Sequence, residues 1–147
     1  LKVASVVSAL SPRNRWQQNL IDAKKVFQAI KDGKSANDIK VCTFNKNKFK
    51  AFEIAKGNIF ITENSPKTYN FVRNIAHLDP TAVTVDIWHL RACLKQFKSI
   101  KNAQIGKLSY QQIKALTIKK AHKLGLTGFE YQAIIWISAQ NNIEKLR

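Results

Sequence analysis

Start and stop signals for helices recur along this chain, and they constrain its fold more than any other feature. Ser11 and Pro12 form a cap-then-proline start, and Gly33 follows as a stop. Between them Trp16, Leu20, Phe27 and Ile30 recur at helical spacing, which predicts a helix burying that face. Residues 36–41 read as a short helical turn. A further helix is predicted to begin after Asn45 and to stop before Gly57, with Phe49 and Phe52 inward and Lys46, Lys48, Lys50 and Lys56 mostly outward. Ser65-Pro66 repeats the start signal and opens a helix through His77, its buried stripe being Thr68, Phe71, Val72 and Ile75. Asp79-Pro80 ends it. Ala82, Val83, Thr84 and Val85 are β-like in composition but too few for a strand, so they read as an extended, buried loop. Asp86 stands at an N-cap position before a helix with Ile87, Leu90, Leu94 and Phe97 on one side. Two capping boxes, Ser109 with Gln112 and Thr127 with Glu130, open two more helices, the first ending at Leu124 before Gly125 and the second running from Gly128 to Gln140. No repeat, low-complexity tract or linker interrupts the series. The expectation is an all-α fold, one compact domain over residues 1–147 with about six helices.

Charge decides what such a fold should meet. Twenty-five Lys and Arg stand against nine Asp and Glu, a net charge of +16. A compact fold with that excess repels itself, so a polyanion is the natural partner. The 45% hydrophobic content and eight Phe exclude a disordered basic tail. No apolar run approaches the roughly 20 residues that span a bilayer. The basic residues are spread along the chain rather than gathered on one amphipathic segment, which argues against a membrane surface. Nucleic acid is therefore the expected partner, contacted by a monomer. Lys46, Lys48 and Lys50 form one predicted backbone-contact stripe, and Lys114, Lys119, Lys120 and Lys123 another.

Other residues narrow the chemistry. Cys42 and Cys93 lie in apolar settings and make neither a disulfide framework nor a metal site, so both are expected to be buried free thiols in a reducing compartment. His77, His89 and His122 lack ligand spacing, so neither a metal nor another cofactor is expected. The tryptophans Trp16, Trp88 and Trp136 read as core, with Trp88 the one placed to meet a base. No signal-peptide pattern is present, and a chain without Met that begins at Leu1 is expected to lack its natural first residues. The expected location is the cytoplasm of a bacterial cell or phage-infected host.

The most informative window is residues 62–98. Asn64-Ser65-Pro66 feeds a helix N-terminus, whose outward backbone N–H groups suit a phosphate. Lys67 lies in the first turn, where a cation opposes the helix dipole, so its role is expected to lie outside the helix. The strings Pro66-Lys67-Thr68, Asp79-Pro80-Thr81 and Val85-Asp86-Ile87-Trp88-His89-Leu90-Arg91 follow in that order. On these strings the window resembles the helix-hairpin-helix DNA glycosylase superfamily, and the chain resembles a small phage-encoded member. It departs from the family in carrying Asn64-Ser65-Pro66 where the hairpin has two glycines, and in lacking the cysteine cluster.

The resemblance implies a helix-hairpin-helix element binding duplex DNA and base-excision repair chemistry. By position Lys67 matches the lysine that attacks the sugar and forms a Schiff base in AP lyase chemistry. Asp86 matches the aspartate that stabilises positive charge on the deoxyribose, and Arg91 the arginine that follows it. Asn64, Ser65, Thr68, Arg73, Arg91 and Trp88 complete the expected DNA contacts. The alternatives are a non-catalytic DNA-binding protein on the same scaffold and a basic inhibitor or adaptor docking on an acidic protein.

Overall fold

A computed structural model describes residues 1–94 and 105–144. Among the described residues all regular structure is helical: α1 (Lys2–Leu10), α2 (Trp16–Lys31), a 3-10 turn (Ala36–Asp38), α3 (Asn45–Lys56), α4 (Pro66–Ile75), α5 (Ile87–Leu94), α6 (Lys107–Lys123) and α7 (Gly128–Glu144). The all-α expectation stands, with seven helices where about six were predicted. The chain divides into two compact units, Leu1–Ala76 and His77–Arg147.

The first unit is built around the helix the sequence reading passed over. In α1, Val6, Val7 and Leu10 are buried, and the helix packs against α2, α3 and α4. Alanines at 9, 23, 29, 51 and 55 line the same core, and their small side chains let the helices approach closely around Val26, Phe52 and Ile54. Ser11 proves to be the C-cap of α1 rather than the start of α2, its Oγ donating to the Ser8 carbonyl at 2.9 Å. The next helix begins only at Trp16.

Its inward face is also rotated from the predicted one. Trp16 and Leu20 are exposed, while Asn19, Asp22, Ala23, Val26 and Ala29 are buried. The Asp22 carboxylate accepts from the Cys42 N–H at 2.8 Å, Gln18 Nε2 at 2.8 Å, Asn14 Nδ2 at 3.0 Å and Lys25 Nζ at 3.3 Å. Burial pushes its pKa upward, but these donors outweigh that and hold the carboxyl below its usual range. A buried charge saturated by donors can occupy a position that hydrophobic periodicity assigns to a leucine.

α3 begins at Asn45, one residue ahead of the predicted start, and ends before Gly57 as predicted. Gly57 caps it at φ 90°, a conformation that would strain any side-chain-bearing residue, and its N–H donates to Glu53 and Ile54 carbonyls. Phe52 is buried, but Phe49 is exposed and Lys48 is turned inward, its Nζ donating to the Ile39 carbonyl at 3.0 Å. In α4 only Val72 and Asn70 are fully buried, with Thr68, Phe71 and Ile75 half-buried.

The second unit packs α5 and α6 against α7. Residues 82–85 form the expected extended, buried segment, and side chains satisfy its backbone. The Tyr110 hydroxyl donates to the Val83 carbonyl at 2.8 Å and accepts from the Val85 N–H at 3.1 Å. Gln132 Oε1 accepts from the Thr84 N–H at 3.1 Å. Gly128 lets α7 begin against this segment, because a Cβ there would lie 3.1 Å from Val83 Cγ2 and 3.3 Å from the Pro80 carbonyl oxygen. The Thr127–Glu130 box forms as predicted, whereas α6 starts at Lys107, two residues before the predicted cap at Ser109. Leu90 is buried, Ile87 half-buried and Leu94 exposed, and Phe97 lies outside the described residues. None of the tryptophans is core: Trp16 is exposed and Trp88 and Trp136 are half-buried. Cys42 and Cys93 are free, as expected, but exposed rather than buried.

Candidate nucleic-acid interface

A small cleft of about 100 Å³ opens in the first unit where the end of α1 meets α3 and the start of α4. Ser8, Ser11, Asn47, Lys50, Lys67 and Thr68 contribute to its wall. The Ser8 hydroxyl donates to the Thr68 carbonyl at 3.1 Å, tying α1 to the first turn of α4. This bond and the one from Ser11 direct both serine protons at backbone carbonyls, so the cleft's cationic donors are the ammonium groups of Lys50 and Lys67. The helix start adds a second source of positive potential. Pro66 removes one N–H, but those of Lys67 and Thr68 lie in the first turn, where the helix supplies no acceptor. Lysines from two helices and a helix N-terminus thus converge on one concave surface, an arrangement that suits a phosphate group.

Of the residues singled out in the sequence, Lys50, Lys67 and Thr68 are brought together here. Asn64 is exposed and Ser65 half-buried just ahead of them, Ser65 as the N-cap of α4 without a side-chain cap bond. Lys46 is exposed at the start of α3. Lys48 does not belong with them, being buried against Ile39. Arg73, on α4, stacks on Tyr69 with its guanidinium carbon 5.2 Å from the ring centroid and Nη1 donating to the hydroxyl at 2.9 Å.

The remaining candidates lie in the second unit. Lys119, Lys120 and Lys123 are exposed on α6, with Lys120 and Lys123 in its last turn, where cations complement the helix dipole. Arg91 lies over Trp88, 5.0 Å from the ring centroid. Asp86 acts as the cap of α5, its Oδ1 accepting from the His89 N–H at 2.8 Å. Ser8, Ser11 and Asn47 were missed by the sequence reading, because the bond that places Ser8 at the cleft joins residues 60 positions apart.

The chain belongs to a family of unknown function (DUF7178), whose family model matches residues 1–143. No curated protein and no solved structure matches it. This match over residues 1–143 overturns the glycosylase resemblance, which rested on residues 62–98 alone. Two helix starts account for that window. Ser65-Pro66 opens α4 in the first unit, and Val85-Asp86 is a buried valine followed by the cap of α5 in the second. The separation of Lys67 and Asp86 along the sequence is that of two helix starts, and a helix-hairpin-helix element is not seen among the described residues. The catalytic roles that the resemblance implied for Lys67 and Asp86 lose their basis with it. Among the described residues, no group of His, Cys, Asp or Glu could hold a metal ion, and no helix is long and apolar enough to cross a membrane.

Proposed function

We propose that this protein is a DNA-binding protein that grips the phosphate backbone, with the cleft at Lys50 and Lys67 as its anchoring contact. The observation that carries the reading is that Lys50, Lys67 and the start of α4 all line one small cleft. Composition supports it on both units. Residues 1–76 hold fourteen Lys and Arg against five Asp and Glu, and residues 77–147 hold eleven against four. Asp22–Lys25 and Glu53–Lys56 pair carboxylates with lysines of their own helices, so those pairs remove acidic groups from any role in neutralising the rest. Exposed Lys46 and the α6 residues Lys119, Lys120 and Lys123 supply further backbone contacts.

Such binding is driven by counterion release, so its affinity falls with salt by about 0.9 in log K per log salt for each phosphate neutralised. Fluorescence anisotropy of a labelled DNA oligonucleotide across a salt series tests it. Steep, linear loss of affinity is the expected result. A flat salt dependence, or no binding near physiological salt, would refute the reading in favour of an acidic protein partner.

A further inference from the structure

The sequence reading took duplex DNA as the partner, but the surroundings of the cleft favour another form. Phe71 also lines the cleft, and the Trp16 ring meets it edge-on, with centroids 6.5 Å apart and planes at 63°. Trp16 is 44% exposed at the start of α2, so an indole surface stands open one ring beyond the lysines. Pro12, another wall residue, leads into Arg13, which adopts φ 57°. A left-handed arginine is uncommon and marks a position held by its surroundings. Its guanidinium lies 5.0 Å from the centroid of Phe44, itself 43% exposed, and the Thr43 hydroxyl donates to the Pro12 carbonyl at 2.8 Å to hold the two segments together. A cationic cleft therefore has two open π surfaces beside it, one an indole and one a guanidinium stacked on a phenyl ring.

Resting on the DNA reading above, we propose that this surface takes single-stranded DNA, with a backbone phosphate on Lys50 and Lys67 and an unpaired base stacked on Trp16. Phosphate and base are separated by a sugar in every nucleotide, and the cleft and the indole are separated by one ring. In a duplex the bases already stack on each other and offer Trp16 nothing, so the platforms contribute only when the strand is unpaired.

The test compares, on the unmodified full chain, an oligothymidylate, an abasic strand of equal length and charge, and a duplex of equal length. Stacking predicts about tenfold tighter binding of oligothymidylate than of the abasic strand. It also predicts tighter binding of oligothymidylate than of the duplex. In Trp16→Leu the oligothymidylate should lose most of its advantage over the abasic strand. Equal affinity for the two single strands, or preference for the duplex, would overturn the single-strand proposal while leaving the DNA reading intact. Failure of all three to bind would overturn both.

Discussion

Acidification from about pH 7 to about pH 4 should weaken the second unit through one residue, His89, and the size of the effect follows from its contacts. The side chain has no exposed surface. Its Nε2 lies 2.9 Å from Thr117 Oγ1, whose own proton is donated to the Ile113 carbonyl at 2.8 Å. Only an oxygen lone pair of Thr117 therefore faces the ring, so Nε2 carries the imidazole proton. Nδ1 is buried without a hydrogen-bond partner among the described residues, and a second proton there would have nothing to bind. Burial, reinforced by the positive charge of Lys120, pushes the pKa from 6.5 down to about 4. The unfolded chain takes up a proton near the ordinary histidine pKa, and the folded chain resists until about pH 4. The associated stability is thus full above the unfolded pKa and is lost as pH falls through that window. At about 1.4 kcal/mol per unit, the loss is about 3 kcal/mol. Urea unfolding of the wild type and of His89→Gln at about pH 7, 5.5 and 4 reads it directly. Glutamine keeps a donor for Thr117 and does not titrate, so its deficit should shrink by about 3 kcal/mol over the range. Asp22, Asp38 and Glu130 have lowered pKa values, so their contributions begin to be lost as pH falls through the ordinary carboxylate range, in both proteins alike. Parallel stability profiles for the two proteins would refute the argument.

Two further substitutions probe the packing. Asp22→Asn replaces an acceptor of four donors by a group that must present its own N–H₂ to some of them, and should cost about 3 kcal/mol in urea unfolding. A near-neutral result would show that the carboxylate is not what joins α2 to the Cys42 loop. Gly128→Ala should destabilise the second unit by about 1–3 kcal/mol, since the new methyl meets Val83, Ile118 and the Pro80 carbonyl oxygen at 3.1–3.3 Å. Helix propensity alone favours alanine, so a rise in stability would mean that the close approach of α7 is not constrained.

Local chemistry was legible wherever a residue type is confined to one backbone role. Gly33, Gly57, Ser65-Pro66, Gly125 and the Thr127–Glu130 box marked helix ends that the fold respects. The same kind of signal misled at Ser11, which can cap either terminus and here closes α1. That helix escaped notice because its apolar run carries three valines and no glycine stop. Inward faces were read from hydrophobicity and failed where polar groups are buried by specific partners. Asp22 and Asn19 displace Trp16 and Leu20, Lys48 displaces Phe49, and His89 and Thr117 pair in the second unit. Lys50, Lys67 and Thr68 could each be named from the sequence, but their convergence comes from α1 packing against both α3 and α4, contacts that include the long-range Ser8–Thr68 bond. The Lys67-to-Asp86 pattern reflects two helix starts, Ser65-Pro66 opening α4 and Asp86 capping α5, which local signals place one after the other along the chain.

In the proposed complex Lys50 and Lys67 jointly hold a DNA phosphate. The most direct measurement is the salt dependence of DNA affinity for the wild type and for the double variant Lys50→Ala, Lys67→Ala, with unchanged circular dichroism as the check on folding. Loss of one held phosphate should weaken binding and reduce the slope of log K against log salt by about 0.9 on a duplex or about 0.7 on a single strand. A double variant with the wild-type slope and affinity would contradict the account.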